Sequence, residues 1–342
     1  MEKLLSYSFG ISIIMALLLS CTDRSISVMD AQGEEICVLQ TVGPCGILGR
    51  LNSIAIVDSS CFVICDESQV YLYDITGRQV RRIGRSGKAG HEYIMPQVVR
   101  SDGESIYVWS AMTMKFLQYD VSGNLLGEYG YASALRDFVP AGDNLVIYAS
   151  GIMNQSIVNI YDKSDGSVRK CLYPATPEHK AISAWLSAAP LLYDGKDVYA
   201  VPQDRMDLLH IDESGETDLL SSVQSETFNV SEYKLTEGGS REKEIEYLYS
   251  NPYTVALLKK GECFYLLASE GKYDDRAGRI DDSHRYYAIY RFNKKGGEKC
   301  AVFSMESIGY SNLVSQYADD IYYICHDVED DNDIYTLKRM RL

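Results

Sequence analysis

The sequence predicts an all-β protein, a six-bladed β-propeller whose ring is closed by an N-terminal strand. Three observations predict this fold. A hairpin sequence motif recurs along the chain, and each copy follows another apolar strand. A third is that the strand-like run at residues 26–39 has no hairpin of its own. Sheets repeated in this way bury their faces on one another, as propeller blades do.

The recurring phrase is an alternating apolar strand that ends in aspartate, or asparagine in the fifth copy, then a turn with glycine and a second strand. It occupies residues 70–83, 116–126, 158–166, 208–215 and 288–296. Its glycines, Gly77, Gly123, Gly166, Gly215 and Gly296, stand 46, 43, 49 and 81 residues apart. Alternation with period two buries one face of each strand, and the turn residues tolerate the required backbone angles. Each phrase therefore predicts a β-hairpin.

Another apolar strand precedes each hairpin, and a sixth unit follows the fifth. These strands lie at residues 53–65, 105–109, 144–149, 197–202, 262–268 and 320–325, with a closing strand at 333–341. Six units of about four strands emerge. We expect residues 26–39 to pair with the last unit, because that removes an open sheet edge. A two-sheet sandwich is the alternative, but it does not predict near-regular spacing.

The first 21 residues have the pattern of a bacterial lipoprotein export signal. Lys3 supplies a positive start, residues 4–19 are mostly apolar, and a small residue precedes Cys21. This predicts a signal peptide at residues 1–20, lipid attachment at Cys21, a tether at 21–25 and one propeller domain at 26–342. A transmembrane anchor is the alternative, but the apolar run is shorter than the roughly 20 residues that a spanning helix needs.

The chain is acidic, with a formal charge of −15 that removal of the signal leaves unchanged, because one Glu and one Lys are lost. The electrostatic field of such an acidic protein repels nucleic acid and anionic lipid headgroups. We therefore expect no nucleic-acid partner, and membrane contact through the lipid anchor only.

Eight cysteines follow Cys21, and their spacing is irregular. Cys61 and Cys65 fall on one face of a strand, about 13 Å apart, too far to bridge each other. The sequence contains no Cys-x-x-Cys, and no two of its five histidines lie at ligand spacing. We expect most of these cysteines to be small buried hydrophobic residues and predict neither a disulfide framework nor a zinc site. The set is Cys37, Cys45, Cys61, Cys65, Cys171, Cys263, Cys300 and Cys325.

After the first hairpin, residues 83–93 carry Ile-Gly-Arg-Ser-Gly-Lys-Ala-Gly-His-Glu-Tyr. With the repeat and the export signal, this segment resembles the TolB-like six-bladed β-propeller lipoproteins of Bacteroides-type bacteria. In that family the segment ends in Gly-Pro-Gly-Glu-Tyr, whereas here Ala89 replaces the proline and His91 precedes the Glu-Tyr pair. The resemblance covers nearly all of the mature chain. It implies the fold and the anchor, and supplies no catalytic residues.

The same glycine-rich segment admits two interpretations. It is not a dinucleotide-binding loop, because a proline and a strand pattern follow it where a helix is required. It is predicted to be a crossover from the outer strand of one blade to the inner strand of the next. The functional interpretation makes Arg85, Lys88 and His91 a cationic rim that selects an anionic ligand.

The 81-residue interval leaves room for an insertion around residues 221–285. Residues 241–248 predict a short helix, and residues 271–285 predict a charged loop. Long loops on a rigid scaffold are favoured places for recognition, although solvated insertions also occur without a function.

The acidic run at residues 327–333 has enough carboxylates to suggest a calcium site, but it lacks the spacing and the glycine of a calcium-binding loop. A polar hairpin tip explains it equally well. The acidic residues Asp274, Asp275, Asp281 and Asp282 carry the same two interpretations. The 27 tyrosines are mostly explained by strand preference. No catalytic residues, cofactor or metal site are predicted.

The favoured function is a non-catalytic binding or scaffold lipoprotein of the cell envelope, with a protein or glycan partner. The alternative is a metal-dependent lactonase or hydrolase with carboxylates around the central channel. The predicted inner strands at residues 97–100, 138–141 and 253–258 carry almost no Asp, Glu or His, which favours binding. Residues 22–24 lack an acid-rich export signal, which favours the periplasmic side over the cell surface.

Overall fold

The computed structural model describes residues 29–30, 33–150, 154–186, 189–212, 214–233, 241–274, 279–293, 296–303, 313–329 and 332–341. The predicted signal peptide and the predicted lipid attachment site, Cys21, lie outside the described residues.

Six small antiparallel sheets form the propeller, which confirms the predicted fold. Ahead of them the chain forms β1 (Met29–Asp30), β2 (Glu34–Val38), β3 (Val42–Gly43) and β4 (Gly46–Ile47). Blade 1 contains β5 (Leu51–Ile56), β6 (Cys61–Asp66), β7 (Val70–Asp74) and β8 (Gln79–Arg82). Blade 2 contains β9 (Pro96–Ser101), β10 (Ser105–Ser110), β11 (Lys115–Asp120) and β12 (Leu125–Gly130). Blade 3 contains β13 (Leu135–Ala141), β14 (Asn144–Ala149), β15 (Ser156–Asp162) and β16 (Ser167–Pro174).

The remaining blades follow the same order from inner to outer strand. Blade 4 contains β17 (Leu191–Tyr193), β18 (Val198–Ala200), β19 (Asp207–Ile211) and β20 (Thr217–Ser222). Blade 5 contains β21 (Tyr253–Lys260), β22 (Cys263–Asp274), β23 (Arg279–Asn293) and β24 (Gly296–Phe303). Blade 6 contains β25 (Val314–Tyr317), β26 (Asp320–Glu329) and β27 (Asn332–Arg341).

The five predicted hairpins join the third and fourth strands of blades 1 to 5. The turn at Gly77 shows why the phrase carries these residues. Gly77 has φ +83°, and a Cβ there would lie 2.2 Å from the carbonyl oxygen of Val38. Oδ1 of Asp74 accepts hydrogen bonds from the backbone N–H groups of Thr76, at 3.1 Å, and Arg78, at 3.2 Å. The aspartate and the glycine thus fix the turn together.

The N-terminal segment closes the ring as predicted. β2 pairs antiparallel with β27 and becomes the outer strand of blade 6. Leu39 N–H also donates to the carbonyl of Tyr335 at 2.8 Å. Ahead of this strand, β1 pairs in parallel with β24 and adds a fifth strand to blade 5, which the sequence did not predict.

The core consists of clusters of buried side chains between neighbouring blades. Each of the six clusters in the described part of the chain lies between two adjacent sheets, which supply most of its residues. Between blades 2 and 3, for example, the rings of Phe116 and Phe138 meet at 4.9 Å and both are fully buried. The sheets therefore stabilise one another, which is why isolated blades would not be stable.

In the described connections between blades there are two helices, at Pro177–Ser183 and Arg241–Ser250. The second confirms the helix predicted at residues 241–248. The charged loop predicted at residues 271–285 is wrong for its described part, because the backbones of β22 and β23 pair as far as Asp274 and Arg279. Residues 275–278 of that segment lie outside the described residues. Neither described helix has the length and apolar character that crossing a membrane requires.

All eight described cysteines are free thiols. The prediction that most are buried is wrong, since only Cys37 and Cys65 are buried, Cys171 is exposed and the other five are half-buried. Burial raises the pKa of the Cys37 thiol to about 11, which keeps it protonated.

Candidate functional site

The propeller has two faces that differ in the connections they carry. On the crossover face, the outer strand of one blade leads to the inner strand of the next. On the opposite face, here called the hairpin face, turns join the first strand to the second and the third to the fourth.

Both helices lie on the crossover face. Ile182, Leu186 and Leu248 pack into the cluster between blades 5 and 6. Arg136 of the third inner strand donates from Nη2 to the carbonyl of Ala184, just after the first helix. The helices therefore cover the start of inner strands at this end of the channel.

A channel of about 140 Å³ runs between the inner strands. All six inner strands line it, and each contributes at least one of Ile56, Ser101, Asp137, Leu191, Leu257 and Ser315. The wall is therefore partly aliphatic and partly polar.

The channel holds a buried ion pair between blades 2 and 3. Arg100 Nη2 lies 2.6 Å from Asp137 Oδ2, with side chains only 15% and 5% exposed. Arg100 Nη1 also donates to the carbonyl of Val99 at 2.7 Å and to Ser53 Oγ at 3.2 Å. Burial raises the pKa of Asp137, and the adjacent guanidinium offsets part of that rise. The sequence did not predict this carboxylate in the channel, because the inner strand begins at Leu135 rather than at Phe138.

At the hairpin-face end of the channel, Asp194 pairs with Lys259. The Lys259 ammonium lies 5.1 Å from the ring centre of Tyr199. Burial alone would raise the pKa of Asp194, but Lys259 and two backbone N–H groups lower it overall. Gln316 Oε1 accepts from the Lys259 backbone at 2.9 Å and so joins blades 5 and 6.

A larger cavity of about 440 Å³ opens on the hairpin face between blades 3 and 4. This cavity, here called the blade 3–4 cleft, has an apolar floor and a rim of charged and polar side chains. Tyr193 lines the cleft, the channel and a third cavity on the side of blades 5 and 6, where Lys259 and Gln316 also contribute. Three concave regions of the propeller therefore share one half-buried tyrosine.

The predicted cationic rim lies in the crossover between β8 and β9, which confirms the structural interpretation of that segment. Two of its three side chains contact carboxylates: Arg85 Nε donates to Glu92 Oε1 at 2.7 Å, and His91 Nδ1 lies 2.9 Å from Glu128 Oε2. Lys88 is exposed. Among the described residues, no hydrogen bond or ion pair joins any two of Arg85, Lys88 and His91. Ligand binding by them stays a prediction.

A buried polar cluster that the sequence did not reveal lies where the first helix meets blade 4. Thr176 Oγ1 donates to Asp204 Oδ2 at 2.6 Å, and Arg205 Nη1 lies 3.1 Å from the same oxygen. His179 Nδ1 lies 3.6 Å from Asp204 Oδ1, and this histidine is fully buried. A substrate cannot reach it, so the cluster fixes the helix to the propeller.

Within the described residues, no three His, Cys, Asp or Glu side chains are grouped so that they could hold a metal ion. The acidic run at 327–333 lies at the β26–β27 hairpin, where Asp333 Oδ1 is 2.6 Å from His326 Nε2. Residues 330 and 331 of this run lie outside the described residues, and calcium binding there stays untested.

The family model of a domain of unknown function, DUF4934, matches residues 35–296. No curated protein matches the sequence.

Several solved structures share the fold. A protein from Bacteroides fragilis, provisionally assigned as exported, aligns with TM-score 0.58 at 15% identity and covers 94% of this chain and 97% of its own. A member of the DUF4221 family from Bacteroides vulgatus aligns with TM-score 0.61 at 10% identity, over 93% and 100%. A streptogramin B lyase aligns with TM-score 0.50 at 9% identity, over 92% and 100%. At these identities the similarity shows the fold alone.

Proposed function

This chain belongs to the family of the domain of unknown function DUF4934, and we propose that it is a non-catalytic binding protein of the bacterial cell envelope. Lipid on Cys21 holds it at the membrane, and the hairpin face of the propeller receives a protein or glycan partner. The TolB-like relationship is part of the same proposal and rests on the motif at residues 83–93.

The observation that carries this proposal is the pairing of Arg100 with Asp137 inside the channel at 2.6 Å. A general acid, a general base or a metal ligand needs an uncommitted group that faces a substrate. Here the channel carboxylate is already neutralised by a guanidinium. The concave surface around Tyr193 is accessible and suits contact with a ring or a peptide.

The proposed location in the cell envelope is supported by the sequence and by a protein of similar structure. The pattern of residues 1–21 is that of a lipoprotein signal, and two or more fatty chains anchor a protein stably. The similar Bacteroides fragilis protein is provisionally assigned as exported. We place the domain on the periplasmic side because residues 22–24 lack an acid-rich signal for surface export.

The lactonase or hydrolase alternative needs inward carboxylates from several blades. In the described lining of the channel, Asp137 is the single acidic side chain. That composition favours binding over metal-assisted hydrolysis.

Crosslinking in native membranes, followed by purification of the full-length chain, tests the proposal. We expect one stoichiometric companion that is lost in Tyr193→Ser and retained in Tyr233→Ser, a matched tyrosine change on the crossover face. A stoichiometric divalent metal whose removal abolishes lactone hydrolysis would overturn the proposal. Retention of the companion by Tyr193→Ser would exclude the hairpin face as the docking surface.

A further inference from the structure

We propose that the blade 3–4 cleft binds a carboxylate-bearing sugar unit. This inference rests on the proposed binding function and specifies the chemistry of the partner. A cavity of about 440 Å³ lies within the range of roughly 300–1,000 Å³ that small-molecule sites occupy.

The floor of the cleft provides an apolar contact. Val146, Ile160, Val198 and Ile211 line it, and each is at most 9% exposed. Contact between this surface and the C–H face of a sugar ring is favourable, because it removes apolar area from water. Tyr193 stands at the edge of the same cleft and offers a ring for further contact.

The rim carries three cationic and three acidic side chains, in a protein whose net charge is −15. Of the cations, Arg169 pairs with the buried Asp162, so Lys170 and Lys196 are the two that can meet an anionic ligand. Lys170 Nζ donates to the Ser214 carbonyl at 2.7 Å, and one bond leaves two of its three ammonium hydrogens for a ligand. Lys196 is 72% exposed and lies 3.5 Å from Asp197, a loose contact that an anion can replace.

The geometry of Lys170 depends on the neighbouring blade. Gly215 has φ +76°, and a Cβ there would lie 2.9 Å from Lys170 Nζ. The glycine therefore leaves the space in which the lysine crosses from blade 3 to the turn of blade 4. The hydrogen bond from Lys170 to the Ser214 carbonyl then holds the ammonium at the cleft.

Asn144 supplies a second indication of a ligand. Its side chain lines the cleft, and its buried Oδ1 has no hydrogen-bond partner among the described residues. A buried acceptor without a donor is costly, so such atoms in native proteins usually meet water or a ligand. A sugar hydroxyl is a donor of the required kind.

The rim also selects a sugar over an aromatic acid. Besides the paired Asp162, Asp143 and Asp212 line the cleft beside the two lysines. Carboxylates only accept hydrogen bonds, so a ligand must bring donors as well as a negative charge. An acidic sugar has both, whereas a simple aromatic acid has no hydroxyl donors for these positions.

Calorimetric titration of the full-length chain in detergent tests the inference with three probes: trigalacturonic acid, the neutral galactose trimer and benzoate. We expect trigalacturonic acid to bind at least about ten-fold more tightly than the neutral trimer, and benzoate not to bind. In Lys170→Gln/Lys196→Gln the affinity should fall about ten-fold, since each lost charge-assisted hydrogen bond contributes. The control Lys180→Gln/Lys243→Gln removes the same charge from the crossover face and should bind like the wild type.

Equal affinity for the neutral trimer, binding of benzoate, no binding of any probe, or equal loss in the control variant would each overturn the inference. If only this inference fails, the crosslinked companion is still captured through the hairpin face. Failure of the inference is therefore distinguishable from failure of the proposed function. Circular dichroism of each variant confirms that a loss of affinity is not a loss of folding.

Discussion

Arg100 of blade 2 and Asp137 of blade 3 meet inside the channel at 2.6 Å, and Nη1 of the same arginine reaches Ser53 of blade 1 at 3.2 Å. One guanidinium thus connects the inner strands of three successive blades. The channel charges have a structural role in the ring.

This relationship predicts a large loss of stability when either partner is removed. Arg100→Ala or Asp137→Ala should lower the free energy of unfolding by about 3–5 kcal/mol, because each leaves a buried charge unpaired. The double variant Arg100→Met/Asp137→Leu should recover most of the loss. Urea denaturation of the three variants measures their free energies of unfolding.

Arg78 gives the control for this prediction, because it pairs with Asp74 at 3.0 Å while its side chain is 75% exposed. Arg78→Ala should cost under about 1 kcal/mol. If the apolar double variant is as unstable as the single ones, shape rather than charge determines the loss.

The blade pattern was predictable because each blade repeats the same local requirement. An aspartate and a glycine are needed at the turn between third and fourth strands, and the turn at Gly77 shows both. The extension of β22 and β23 was not predictable. Residues 271–285 are rich in charged residues, and the pairing of two strands overrides that local composition.

The motif at residues 83–93 predicts that its glycines differ in importance. Gly84 has φ +68°, and a Cβ there would lie 2.4 Å from the Tyr119 hydroxyl oxygen. Gly84→Ala should therefore lower the free energy of unfolding by about 2–4 kcal/mol, because it strains the backbone at a positive φ and displaces the Tyr119 ring. At Gly90 nothing lies within 4 Å of the added Cβ, so Gly90→Ala should change stability by less than about 0.5 kcal/mol. Thermal unfolding compares the two, and equal effects would refute the structural role of Gly84.

Asp204 predicts a pH dependence of stability. Burial alone would raise the pKa of this carboxyl, but His179, Arg205 and Thr176 lower it overall. A folded-state pKa below the unfolded value of about 3.9 means that the stabilisation is present above that pH and is lost as the pH falls through the folded pKa. The wild type should therefore lose stability between about pH 5 and pH 3. Asp204→Asn should be less stable at pH 6 and show a shallower slope in urea denaturation.

The exposed Asp319 provides the comparison. Asp319→Asn should keep the wild-type slope. An unchanged slope in Asp204→Asn would show that other carboxylates govern the acid response.

The candidate site was beyond the sequence because its residues come from separate blades. Lys170 lies in a strand of blade 3 and Lys196 in a turn of blade 4, and they line one cleft only because the two blades pack together. Arg85 and His91 are close in sequence, yet each pairs with a different glutamate. Spacing along the chain identifies loops, whereas convergence of side chains depends on the packing of sheets.

Ring closure predicts that a short N-terminal truncation has a disproportionate effect. A chain that starts at residue 40 loses β2, leaves β27 with an open edge, and removes Cys37 and Leu39 from the cluster between blades 6 and 1. We expect it to lose at least about 3 kcal/mol of stability, because buried apolar side chains contribute roughly 1.5–3 kcal/mol each, and to associate through the exposed edge. A chain that starts at residue 33 keeps β2 and should stay monomeric and stable. Light scattering after size exclusion and urea denaturation measure both, and a stable, monomeric chain from residue 40 would mean that the propeller does not depend on the N-terminal strand for closure.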